Sequence, residues 1–157
     1  MYKILSAENI AANIYMMEVE APRVAKGCVP GQFIIVKVDE NSERIPLTIC
    51  DYDREKGTIT IVFQPIGAST LKMKDLKAGD AFMDFVGPLG RPSEFTEMDI
   101  EELKQKKLVF VAGGVGTAPV YPQVKWLHEH GVDADVIIDF ANAVASTLRD
   151  NNVLMAA

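Results

Sequence analysis

The sequence predicts a β + α/β chain: an antiparallel barrel over residues 1–98, then a truncated parallel α/β nucleotide-binding domain over residues 99–157. Three observations predict it. Short β-branched runs separated by Pro, Gly and Asp turns fill the first part of the chain. A charged stretch, Glu94 to Lys107, then breaks that pattern. After it, the all-apolar run Leu108-Val109-Phe110-Val111-Ala112 leads directly into Gly113-Gly114-Val115-Gly116-Thr117-Ala118-Pro119, the punctuation of a buried parallel strand feeding a helix.

Taken in order, Tyr15 to Val19 reads as a strand that Pro22 ends. Pro30-Gly31 makes a turn before the β-branched run Gln32 to Val38. Arg44 to Cys50 is the next strand, and Asp51 to Gly57 a polar loop in which Gly57 can take a left-handed conformation. Thr58 to Gln64 alternates, with Ile59, Ile61 and Phe63 on one face, as expected for the second arm of a hairpin. Ser69 to Leu76 reads as a short helix capped by Ser69 or Thr70, with Leu71 and Leu76 packing inward. Lys77 to Asp80 is a turn. Ala81 to Val86 is a strand closed by Gly87-Pro88-Leu89-Gly90. Some six strands joined by turns suggest a barrel.

Between Glu94 and Glu102 lie five acidic residues, followed by Lys104, Lys106 and Lys107. This stretch reads as a linker or a short surface helix whose charges are solvated. In the second part, Val120 to His130 forms a helix with Val120, Val124 and Leu127 on one stripe and Gly131 as its stop. Asp135 to Asp139 is the next buried strand, and a last helix is expected around Val144 to Leu148.

Bulk properties narrow the function classes. The chain has 157 residues, 48% of them hydrophobic, enough for a core. Its net charge of -6, from 16 basic and 22 acidic side chains, argues against nucleic acid as a partner, because phosphate backbones demand clustered Lys and Arg. No apolar run approaches the ~18 residues of a membrane helix, and Met1 to Leu5 lacks a signal-peptide core. The expectation is a cytoplasmic protein with no membrane partner. Two cysteines, Cys28 and Cys50, cannot supply four ligands to a zinc or iron–sulfur site, so no metal ligands are expected. The two histidines, His128 and His130, fall near a helix end and read as surface groups facing the helix dipole. Trp126 and the Met16-Met17 pair read as packing, and Cys50 as a core thiol.

The chemistry concentrates in three motifs. Arg44-Ile45-Pro46-Leu47-Thr48 puts a fixed cation, a rigid residue without an N–H, and a hydroxyl on one short extended stretch. Those are the groups a flavin nucleotide uses: charge for its phosphates and a hydrogen bond for its redox-active ring edge. Read alone, the stretch fits an edge strand with a surface arginine better than a flavin site. Gly67-Ala68-Ser69-Thr70 offers amides and hydroxyls at a helix start, an anion site or an ordinary cap. The Gly113 to Pro119 turn lets backbone approach a phosphate, with Pro119 suited to a first helical turn.

In this order the motifs resemble the ferredoxin–NADP reductase superfamily, most closely its branch of electron-transfer subunits. The resemblance is strongest across Pro30 to Phe33, Arg44 to Ile49, Val86 to Gly90 and Val109 to Pro122. It implies a Greek-key barrel holding FAD and an α/β domain binding NAD(P)H. By position, Arg44 would contact the FAD phosphates. Pro46, Leu47, Thr48 and Ile49 would line the isoalloxazine, with Thr48 catalytic beside N5. Val62, Phe63 and Gln64 would border the flavin or adenosine, and Gly67, Ser69 and Thr70 would cradle the pyrophosphate. Gly113, Gly114, Gly116 and Thr117 would form the nicotinamide-nucleotide loop.

The resemblance further implies a larger iron–sulfur flavoprotein subunit and a ferredoxin-type carrier as partners. It also implies a cysteine-rich segment with a 2Fe–2S cluster, whose ligands this sequence does not supply. The second domain is therefore expected to be incomplete, and a homodimer through it stays open. Phe140 to Ala143 replaces a Gly-Ala-Arg-like loop of the family, so no preference between NAD and NADP carries over. A non-catalytic flavin-binding or assembly module that docks on a larger redox enzyme is the alternative reading.

Overall fold

The computed structural model describes residues 1–139. Strands β1 (Tyr2–Ala11), β2 (Ile14–Glu20), β3 (Phe33–Lys37), β4 (Ile45–Asp53), β5 (Thr58–Phe63), β6 (Ala81–Phe82) and β7 (Asp84–Leu89) form one sheet in the order β6-β1-β2-β5-β4-β3-β7. All of its pairings are antiparallel. Only Met83 separates β6 from β7, yet they lie at opposite edges of the sheet. Met83 donates its N–H to the carbonyls of Lys37 and Val38 at 2.9 and 3.3 Å. The chain thus carries one edge round to the other and nearly closes a barrel, leaving little free edge.

Alternation fills the barrel. Ile34, Val36, Ile59, Ile61, Met17, Val19, Phe82 and Phe85 point inward and are at most 1% exposed. Helix α1 (Pro22–Gly27), started by Pro22, plugs one end through Val24 and Ala25. Gly57 takes its expected left-handed conformation, φ +71°, and ends the β4–β5 turn.

Three expectations change. Residues 51–53, read as loop, continue β4, because Asp51 and Asp53 face outward on a strand whose Tyr52 packs on the core. Helix α2 (Ala68–Met73) does not bury Leu71, which is 44% exposed. Ser69 and Met73, four apart and hence on one face, turn inward instead, and Leu76 packs beside them on the core. Finally, the Glu94–Lys107 stretch holds a 3-10 turn (Glu94–Glu97) and α3 (Ile100–Lys104), capped by Asp99, whose Oδ1 accepts the N–H groups of Glu101 and Glu102. Its Leu103 is buried, while Lys104 and Lys106 pair with Glu101 and Glu102 on the surface.

Beyond α3, β8 (Leu108–Gly113), a 3-10 turn (Gly114–Gly116), α4 (Thr117–Glu129) and β9 (Ala134–Asp139) make a βαβ unit in sequence order, with β8 and β9 parallel. Gly131, φ +71°, stops α4 as expected. Leu103, Leu127 and Val132 form its core, joined by Phe95, Met98, Phe110 and Trp126. The expected burial of β8 on both faces is not met among the described residues: Val109 and Val111 are 55% and 72% exposed. Helix α4 covers one face of this two-stranded sheet and no described element covers the other. Residues 140–143 and the helix expected over 144–148 lie outside the described residues.

Candidate functional site

The outer surface of β4 is the site's floor. In β4, Ile45, Leu47, Ile49 and Tyr52 face the barrel core, so Pro46, Thr48 and Cys50 face out. Pro46 and Thr48 are exposed, and Cys50 is 3% exposed. Ile45 to Thr48 pair with β3, whereas pairing with β5 starts only at Ile49. The Pro46–Thr48 segment therefore has a strand partner on one side alone. Pro46 contributes no N–H to satisfy there, and the backbone edge beside Thr48 is available to a ligand.

Register then slips by one residue between Ile49 and Asp51, a bulge of the sort that re-aims side chains. It turns Cys50 and Asp51 toward α4. Cys50 packs with Val62, Ile14, Ala118 and Tyr121, with Val115 of the glycine turn against the same cluster. Asp51 Oδ1 accepts a hydrogen bond from Lys125 Nζ at 2.8 Å. Ser93 Oγ donates to Gln123 Oε1 at 2.9 Å and ties the inter-unit segment to α4. These contacts hold the glycine turn two residues along the strand from Thr48. Burial pushes the Cys50 thiol up to about 12 and the Tyr121 hydroxyl to about 12, with Asp51 adding to both. Neither group is an acid or base at neutral pH.

The glycine turn takes the predicted strand–turn–helix form. Gly114 has φ +55°, a region that favours glycine. A Cβ added at Gly116, or at Gly67, would meet no heavy atom within 4 Å, so both backbones are open to a neighbour. Thr117 is 2% exposed, which places its side chain inside the unit.

At the other end of the strip, β4 begins and β5 ends side by side, by their antiparallel register. Gln64 to Thr70 therefore lie at the end of the barrel that carries Arg44. Thr70 Oγ1 accepts the N–H groups of Ile66 and Gly67, each at 3.0 Å, and donates to Gly67 O. Gly67 is the N-cap residue and Thr70 the side chain that closes the cap, in place of the expected Ser69 or Thr70 N-cap. Lys72 Nζ reaches Asp39 at 3.0 Å and Ser42 at 3.2 Å, anchoring α2 beside the loop that leads to Arg44. Arg44 itself is 61% exposed and pairs with Asp84 of β7.

The structure thus brings Arg44, Pro46, Thr48, Gln64 and Gly67 onto one outer strip, with Gly113, Gly114 and Gly116 flanking it. Leu47, Ile49 and Phe63 are turned into the barrel core, which leaves only their backbone for a ligand, and Val62 lies beneath Ala118. Ser69 is buried. Sequence reasoning missed Phe33, which sits directly opposite Thr48 on the outer face with its ring against Gly90. Its place in an alternating strand next to a turn was the available signal. His130 stacks on Trp126 at 3.9 Å, which in turn packs on Phe95, away from this strip. Among the described residues no group of His, Cys, Asp and Glu is arranged to hold a metal, and no helix is long and apolar enough to cross a membrane.

A barrel with the strand order 1-2-5-4-3, extended at its two edges by β6 and β7 and joined to a β–glycine turn–α–β unit, places the chain in the ferredoxin reductase-like fold class. The chain belongs to the ferredoxin–NADP reductase superfamily. An uncharacterized protein in the adh 3′ region of Clostridium beijerinckii is 63% identical over 142 residues, 90% of this chain and 48% of its own length. A Thermotoga maritima homologue of the dihydroorotate dehydrogenase B (NAD+) electron transfer subunit is 35% identical over 136 residues, 87% of this chain and 46% of its own. Among solved structures, the NADH-dependent reduced ferredoxin–NADP oxidoreductase, described for flavin-based electron bifurcation, superposes with a TM-score of 0.79 at 34% identity, over 88% of this chain and 48% of that one. Phthalate dioxygenase reductase shares the fold, with a TM-score of 0.67 at 22% identity. No protein-family model matches the chain. The chain spans about half the length of the curated relatives it matches.

Proposed function

We propose that the chain is the flavin-holding part of an electron-transfer subunit, binding FAD on the outer face of β4 and meeting NAD(P)H at the glycine turn. The observation that carries this reading is the half-paired, outward Pro46–Thr48 strand between a cation at one end and an open glycine turn at the other. These residues fit the group. Arg44 supplies charge for a diphosphate, and Thr48 a hydroxyl and an unpartnered strand edge for a planar heterocycle. Gly67 and Gly116 leave backbone free for close approach. The bound flavin would supply hydride acceptance and one-electron release.

The residues' own work is placement. Thr48 would fix the ring edge, Pro46 and the backbone of Leu47 and Ile49 its face, and Gln64 with Phe63 backbone the adjoining ribityl or adenosine portion. The amides of Gly67 to Thr70 would help with phosphate, the Thr70 hydroxyl being already committed to the cap. Gly113, Gly114 and Gly116 would admit the nicotinamide nucleotide, while Thr117 supports the turn from inside. Names of relatives such as "electron transfer subunit" support a larger partner subunit and a ferredoxin-type acceptor as the destinations of the electrons.

The purified chain is expected to be yellow and to release FAD on denaturation; a colourless chain that takes up no added FAD overturns the proposal. Arg44→Ala should weaken FAD binding by about 1.5–3 kcal/mol, the worth of a charge-assisted hydrogen bond, read by flavin fluorescence titration. Unchanged affinity would remove Arg44 from the site. Mixing the flavin-loaded chain anaerobically with NADH or NADPH separates a working reductase from a docking module. Slow or absent bleaching is expected of this stretch of chain alone.

A further inference from the structure

The Arg44 guanidinium is not waiting free for a phosphate. It crosses the outer face of β3 to reach Asp84 on β7, forty residues along the chain. Lys37 lies between them: it is the register partner of Asp84 and alternates outward with Phe33 and Ile35. Among the described residues Lys37 makes no ion pair of its own. The corner therefore holds two cations and one carboxylate. The contact joins one terminal nitrogen of Arg44 to one oxygen of Asp84, which leaves the rest of the guanidinium fork facing solvent.

We propose that Asp84 is a specificity-setting counter-ion for this corner, acting through Arg44; the inference rests on the reading of Arg44 as a phosphate contact. A guanidinium already matched by a carboxylate gains little by exchanging it for another singly charged anion. A diphosphate brings more charge and more acceptors to the fork, so it alone profits from the exchange or from sharing the guanidinium. Asp84 thereby restrains binding of every anion and leaves the phosphate-rich dinucleotide as the ligand that overcomes the restraint. The pair is exposed enough that its own contribution to folding is small, so removing the carboxylate should change binding without unfolding the barrel.

The test compares the wild-type chain with Asp84→Asn, Arg44→Gln and the double variant, by titration with FAD, riboflavin and inorganic pyrophosphate. Flavin fluorescence reads the first two ligands, and the Arg44 Nε–H resonance reads pyrophosphate in the two variants that keep the arginine. At low salt, Asp84→Asn should bind FAD and pyrophosphate more tightly by about threefold for each negative charge the ligand brings within ~6 Å, so about tenfold for a doubly charged diphosphate. The gain should vanish at ~1 M salt. Riboflavin, with no phosphate, should not respond, and the gain should be absent in the Arg44→Gln background. Equal or weaker FAD and pyrophosphate binding by a folded Asp84→Asn chain overturns the proposal, and so does a gain that survives the loss of Arg44. If the wild-type chain takes up no FAD at all, the flavin reading falls, while the pyrophosphate series still decides for or against Asp84.

Discussion

The barrel and the βαβ unit handle the same problem, covering apolar strand faces, with different completeness. In the barrel, inward positions on five strands reach 0% exposure, and the β6–β7 segment joins the two sheet edges. In the βαβ unit, Val109, Val111 and Ile137 remain 55%, 72% and 58% exposed, and its own apolar cluster has a buried centre of three residues, Leu103, Leu127 and Val132. The lesson concerns the site. The proposed flavin floor is built on a self-contained core, whereas the glycine turn is held in place by docking of α4 on the barrel through Cys50, Val62, Ala118 and Tyr121.

The largest break in that comparison comes from the cores. Phe82 is wholly buried and packs against Phe85 at 6.0 Å between ring centres. Phe82→Ala should destabilise the chain by about 3–5 kcal/mol, and because β6 helps to close the barrel, flavin binding should be lost with the fold. Leu127→Ala removes a side chain of the small second core, at about 2–5 kcal/mol, but should leave the barrel folded. Hydrogen exchange should then show β8, β9 and α4 unprotected beside a protected β2–β5–β4 ladder. Simultaneous loss of protection in both regions would mean that the two fold as one unit.

A smaller effect should appear at high pH, and it falls on the contact between the regions. Burial raises the Cys50 thiol from 9.0 to about 12 and the Tyr121 hydroxyl from 10.0 to about 12. In the unfolded chain these groups ionise at their ordinary values, so it loses protons first as pH rises. Their contribution is whole below about pH 9 and declines from there toward the folded values. Thermal midpoints should therefore be flat up to pH 9 and then fall. Tyr121→Phe, which removes one of the titrating groups, should flatten the fall; an unaltered slope would show that the docked contact opens before the barrel unfolds.

The legibility of the sequence divides along the same line. The inward alternation of Ile59, Ile61 and Phe63, and the strand–glycine–helix succession at Gly113 to Pro119, are local patterns and read directly. What could not be read depends on distant partners. Asp51 and Asp53 look like turn residues until a bulge and Lys125 give Asp51 a place on a strand. Leu76 lies beyond α2 and packs on the core as expected, whereas Leu71, two residues from both Ser69 and Met73, falls on the side of the helix opposite that inward pair. An all-apolar β8 suggests burial on two sides, but the second cover is a tertiary matter. At the site, Thr48's hydroxyl on an outward strand position was legible. The pairing of Arg44 with Asp84, across an intervening strand, was not.

The smallest effect tests how the two regions are joined. Lys125 Nζ meets Asp51 Oδ1 at 2.8 Å, with the side chains 33% and 28% exposed, and lies 5.9 Å from the centre of the Tyr121 ring. A pair this open to water is worth about 0–1 kcal/mol and is screened by salt. Lys125→Ala should therefore leave the global unfolding midpoint almost unmoved. Its effect should show locally, as faster hydrogen exchange in α4 at low salt that merges with wild type at high salt, with the barrel ladders unaffected. Asp51→Asn should give the same local signature, and the double variant no more than either alone, because both remove one interaction. Additive effects would place the hold on the glycine turn in the apolar cluster around Cys50, with the ion pair a bystander at its rim.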